Sequence, residues 1–70
     1  MQIFDSKDFG IAIKKRRKEL GYTQSYISEV TGCSASFISD LENGKVTAEL
    51  GKSFMIANIL GLTISVNERQ

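Results

Sequence analysis

TQSYISEVTGCSASFISDLENG, residues 23–44, carries its apolar side chains in two short sets. Ile27 and Val30 stand i, i+3, the spacing that puts two side chains on one helical face, and Ile38 and Leu41 repeat it. Gly32, Cys33 and Ser34 separate the two sets. Glycine reaches the positive φ that ends a helix and serine is a good N-cap, so Gly32 closes one helix and Ser34 opens the next. Thr23 caps the first of them in the same way. The spacing predicts helices over 24–31 and 35–43 joined by a tight turn, which is a helix-turn-helix.

Upstream, Asp5 and Ser6 are both N-cap residues, and Asp8 adds negative charge where the helix dipole favours it. They predict a helix over 6–20 whose inner face carries Phe9, Ala12, Ile13, Arg16 or Arg17, and Leu20, with Gly21 ending it. Tyr22, just before the Thr23 cap, is placed to staple onto Ile27. Downstream, Asn43-Gly44 is a turn dipeptide. Thr47 is the expected cap of a fourth helix over 48–60, with Leu50, Phe54, Ala57 and Leu60 as its core stripe. Phe54, Met55 and Ile56 are consecutive and cannot all face one core, so this helix has a second apolar side, which points to a partner. Leu62 to Asn67 alternates apolar and polar residues and is rich in β-branched ones, the signature of a strand. A lone strand needs a ladder partner. Either Gln2 to Phe4 of the same chain supplies it, or the same strand of a second copy does. The second arrangement is favoured, with Leu62, Ile64 and Val66 at the dimer interface.

Seventy residues hold one domain, read here as spanning 1–70, with a small core. The apolar fraction, 41%, is that of a folded chain. One Cys and no His exclude an internal disulfide and a structural zinc site. With no pair of groups that reads as nucleophile and base, an enzyme is a poor fit, and no cofactor or metal is expected. The first residues do not pattern as a signal peptide, and no apolar run approaches bilayer length, so a cytoplasmic protein is expected. Net charge is only +1, yet five of the nine basic residues are consecutive, Lys14 to Lys18. That run reads either as a solvated helix face that complements the dipole or as phosphate contact beside the third helix. Ser34, Ala35 and Ser36 likewise have two readings: cap and surface, or small groups that let a helix N-terminus approach DNA.

The segments RRKELGYTQ, ISEVTGCS and FISDLENGK resemble the phage-repressor and Cro type of helix-turn-helix domain, the Xre family. The likeness covers about Phe9 to Gly61 and rests on Arg17, Gly21, Thr23-Gln24, Gly32, Ser34, Ile38-Ser39, Glu42 and Asn43-Gly44. It implies an all-α, phage-repressor-like bundle of about four helices. It also implies that Gln24 contacts a phosphate and braces the recognition helix, and that Ala35, Ser36 and Asp40 fall at base edges. Asn43 and Lys45 then take phosphate positions. Thr23, Ser34 and Ser39 of the same motif complete the expected DNA-contacting set. Arg17 and Glu42 match a structural salt bridge, and Cys33 matches a buried aliphatic position. Three departures stand out. Ala35 and Ser36 are smaller than the long polar side chains many members use, so DNA shape has more to contribute. Phe37 is unexpectedly large: it wedges against the first helix, touches a thymine methyl, or serves some other contact. The C-terminal strand, where many repressors have a fifth helix, resembles the HipB-like antitoxin branch, whose members repress their own operon and bind a kinase-like toxin.

The expected function is therefore a homodimeric repressor on a palindromic double-stranded operator, in the antitoxin variant with a toxin partner. A prophage or restriction-modification controller and a protein-interaction adaptor are the alternatives.

Overall fold

The computed structural model describes residues 1–69; residue 70 of the expected domain lies outside the described residues. Four helices follow one another: α1 Ser6–Glu19, α2 Gln24–Thr31, α3 Ala35–Glu42 and α4 Leu50–Ile59. Three begin at side-chain caps. Asp5 accepts from the Asp8 N–H at 2.8 Å, Thr23 from Tyr26 at 3.0 Å and Ser34 from Phe37 at 3.0 Å. Each cap satisfies one of the amide donors left unpaired at a helix start. Between α2 and α3 the chain reverses through Gly32, whose φ of 76° suits glycine and closes α2 onto the Ser28 carbonyl.

Ile13, Ile27, Ile38, Ile56 and Leu60 are fully buried, and Cys33, Leu41 and Ala57 complete the core. Each of the large side chains contributes about 1.5–3 kcal/mol of burial. This cluster draws on all four helices and fixes how α3 is presented. Arg16 on α1 ties the end of α4 to the bundle, its Nε donating to the Leu60 carbonyl at 2.9 Å.

Two expectations are corrected, and a third is not met within one chain. First, Thr47 does not cap α4. The helix starts at Leu50 with Glu49 in the cap position and no side-chain cap bond. Second, Ala57 and Leu60 face the core as expected, but Ser53 and Ile56 complete the stripe, while Leu50 is 65% exposed and Phe54 also faces out. The helix is apolar on two sides, so either stripe fits the periodicity. The inner one contains a serine, tolerated because Ser53 Oγ donates to the Glu49 carbonyl at 2.7 Å. Third, the described residues contain no strand, so 62–67 forms no ladder and does not pair with Gln2 to Phe4. The Leu62 N–H instead donates to the Ala57 carbonyl at 2.9 Å, and its side chain packs on the core. Ile64 and Val66 stay exposed. A strand exists only with a partner to share its hydrogen bonds, and this single chain presents none. The two terminal segments do meet, lining one groove with Phe9, Ala12 and Phe54. One smaller difference also appears: Val30 is exposed. Tyr22 packs against the core cluster that contains Ile27 and also stacks on Tyr26, with ring centroids 4.7 Å apart.

Candidate nucleic-acid interface

α3 opens with three small residues in water. Ser34, Ala35 and Ser36 are all exposed, while Ile38 and Leu41 on the opposite face are buried. The cap bond uses Ser34 Oγ as an acceptor, which leaves its O–H free to donate. The first turn of α3 therefore has little side-chain bulk between its backbone and any surface it meets. Ser39 is half-buried one turn further on, and its carbonyl accepts from the Asn43 N–H at 3.0 Å. Asp40 pairs with Lys45 at 3.4 Å on the surface, so the carboxylate that would repel a phosphate is answered by a neighbouring cation. Asn43 caps α3 at its other end and is exposed, as is Lys45.

Behind α3 lies a buried polar junction of three helices. Arg17 Nε donates to Glu42 Oε2 at 2.6 Å and Nη2 to Oε1 at 3.0 Å, a two-pronged pairing of α1 with α3. Arg17 Nη1 donates to the Tyr22 carbonyl at 2.7 Å. Gln24, the first residue of α2, donates from Nε2 to Glu42 Oε1 at 3.0 Å. Burial pushes the Glu42 carboxyl up, and the bonds from Arg17 and Gln24 more than reverse it, leaving the group below its ordinary value. The Glu42 bond pushes Arg17 up further than burial lowers it. Gln24 is thus a brace whose position is set from α3, and Thr23 beside it is exposed with its hydroxyl engaged as the α2 cap.

Phe37 packs against the core, and the ammonium of Lys52 on α4 sits 5.7 Å from its ring centre. The contact the structure provides for it is therefore with α4. One group of residues escaped sequence reasoning. Lys7, Ile11, Lys14 and Lys18 fall at i, i+4, i+7 and i+11 on α1, and with Lys15 they line a groove that also holds Asn43 and Glu42. The helical spacing was the signal; reading Lys14 to Lys18 as a linear run hid it.

Residues 13–67 match the helix-turn-helix family, HTH_3. Among similar proteins, "Uncharacterized HTH-type transcriptional regulator y4mF" of Sinorhizobium fredii is 37% identical over 59 residues, 84% of this chain and 78% of that protein. The "ImmF control region 10 kDa protein" of Bacillus phage phi105 is 31% identical over 64 residues, 91% of this chain and 71% of that protein. Among solved structures, the HipB–O4 20mer complex and the HipA–HipB–O2–O3 complex each contain a chain that superposes with a TM-score of 0.90 at 26% identity, covering 100% of this chain and 99% of that one. The chain belongs to the helix-turn-helix family of transcriptional regulators. Within it, the fold is that of the HipB chain in those two complexes.

Proposed function

We propose that this chain is a sequence-specific double-stranded DNA-binding repressor that acts as a homodimer on a palindromic operator, as an antitoxin of the HipB kind. The observation that carries the reading is the first turn of α3, exposed, small and polar on a helix whose other face is locked into the core. Such a helix N-terminus suits the major groove, and two copies would present their recognition helices about one DNA turn, ~34 Å, apart. Ala35 would meet a thymine methyl and Ser36 a base edge, while Thr23, Gln24, Ser34, Ser39, Asn43 and Lys45 position the backbone. Asp40, paired with Lys45, would accept from a cytosine amino group. The homodimer would join the segments carrying Leu62, Ile64 and Val66. The likeness to a chain solved with HipA supports a protein partner as well as DNA. The likeness to the phage phi105 protein favours a second reading, a prophage control protein with the same DNA-binding mechanism. A cytoplasmic site of action follows from either; no helix among the described residues is long and apolar enough to cross a membrane.

The test is selection of duplexes from a randomised pool by the purified protein, with its mass measured in solution. A dimer that enriches a palindrome is expected. Ser36→Asp, which adds charge to an exposed position, should abolish the enrichment and leave the circular dichroism unchanged. A monomer that enriches nothing at low salt would refute the repressor.

A further inference from the structure

The lysines of α1 differ from four of the chain's other cations, and Arg69, the fifth, lies far along the sequence over the Phe4 ring. Arg16, Arg17, Lys45 and Lys52 each have an acidic partner, at 3.8, 2.6, 3.4 and 4.0 Å. Lys7, Lys14, Lys15 and Lys18 have none among the described residues, and all four are exposed. They are gathered, not scattered: all four line the groove between α1 and the end of α3. The groove's other wall is Asn43, exposed at the C-terminus of α3, and Glu42, whose carboxylate is engaged by Arg17 and Gln24, and the backbone of Lys7 packs directly on the turn after them, at Gly44. Concentrating like charge on one face costs free energy unless something of opposite sign arrives. Lys7, Lys14 and Lys18 span eleven residues of helix, ~16 Å, the length of several phosphates along one strand.

We propose that this groove is a second, sequence-independent phosphate track. It would carry the backbone of the duplex past Asn43 and along α1, so that Lys7, Lys14 and Lys18 hold phosphates flanking the segment that α3 reads. The proposal rests on the DNA-binding reading above and extends it. Base readout by Ala35 and Ser36 is modest, so affinity must come from the backbone, and a near-neutral chain can supply it only by placing its free cations together. Arg17, within the same basic run, is not part of the track; its guanidinium is paired with Glu42.

The test is the salt dependence of binding to one duplex of about 30 bp recovered by selection, measured by fluorescence anisotropy for the full chain. Each lysine that meets a phosphate contributes ~0.9 to the slope of log affinity against log salt. The triple variant Lys7→Gln, Lys14→Gln, Lys18→Gln should lose about tenfold or more in affinity at low salt, and its slope should fall by about 2 or more per chain. Its ranking of duplex sequences should stay that of the parent. Glutamine keeps helix propensity at these exposed positions, so the melting temperature should hold. If the parent binds no duplex, the DNA-binding reading itself fails and the track with it. If the parent binds and the triple variant keeps its slope, the track is refuted, the DNA-binding reading stands, and the groove belongs to a protein partner. An equal loss per charge from Lys52→Gln, outside the groove, would also refute it, because the effect would then be one of net charge.

Discussion

Gly10 has no side chain because α3 leaves no room for one. A Cβ there would lie 2.4 Å from the Leu41 carbonyl oxygen and 2.7 Å from that of Glu42, both backbone atoms that cannot step aside. In an ordinary helix interior Gly→Ala gains about 0.5–1 kcal/mol. Here the clash outweighs it, and Gly10→Ala is expected to lose about 2 kcal/mol, a typical cost of overpacking. A thermal melt reads the sign directly; a raised midpoint would mean that α1 and α3 are not locked at this crossing. In the sequence Gly10 is only a weak spot inside a helix, because the residues that crowd it are more than thirty positions away. Glu42 is the second residue on which the junction turns. Its folded pKa is lowered, so its contribution is complete above the unfolded value near 4.5 and is lost as pH falls through the lower folded value. Glu42→Gln strands a buried guanidinium and should cost about 3–5 kcal/mol at neutral pH. The gap between parent and variant in urea titrations should then narrow below pH ~4.5. A gap that stayed constant down to pH ~3 would show that the carboxylate charge is not what the junction uses.

At the scale of elements, α2 and α3 were legible because each carries its start, its stop and its inner face within eight residues. Thr23 and Ser34 are caps in the sequence and in the structure, and Thr23→Ala should cost about 1 kcal/mol for that reason alone. α4 was not legible in detail. Leu50 and Phe54 complete a stripe with Ala57 and Leu60 as well as Ser53 and Ile56 do by periodicity, and hydropathy prefers the first pair, which the structure leaves exposed. What selects the second is packing: Ile56 and Leu60 meet Ile13, Ile27 and Ile38 in one cluster, and the serine among them hides its hydroxyl in its own helix. Two variants separate the stripes. Ile56→Ala should lose about 2–5 kcal/mol, while Leu50→Gln, on the open side, should stay within ~0.5 kcal/mol. Equal losses would mean that α4 sits rotated from the position described. The candidate site was legible only in part. The set proposed to face DNA came from the family pattern, the brace formed by Gln24 on Glu42 needs coordinates to be seen, and the α1 groove needs both the helical period and the position of Asn43.

The whole molecule has one small core and more exposed apolar surface than that core explains. Phe4 is 69% exposed, and Ile3, Phe54 and Ile64 are also open, around the groove where the two ends of the chain meet, while Val66, next to that groove in sequence but not lining it, is 96% exposed. Seventy residues give about 4–10 kcal/mol of stability at best, little margin for leaving such side chains in water. The alternating segment after α4 sharpens the point, since it has the composition of a strand and no strand beside it. A second copy would supply the missing ladder and cover the apolar side chains at once, and association would then add to stability by mass action. The expected outcome is a melting temperature that rises with protein concentration, by a few degrees for each tenfold step. Ile64 and Val66 are both exposed, so Ile64→Asp with Val66→Asp leaves the buried core of an isolated chain unchanged. If the copies pair here, that double variant should melt lower than the parent, at a temperature independent of concentration, and sediment as a monomer. It should also bind a palindromic duplex far more weakly than a single half-site would predict, because the two recognition helices no longer arrive together. A parent protein whose melting ignores concentration over a hundredfold range would remove the dimer, and the exposed groove would then have to be covered by a different chain.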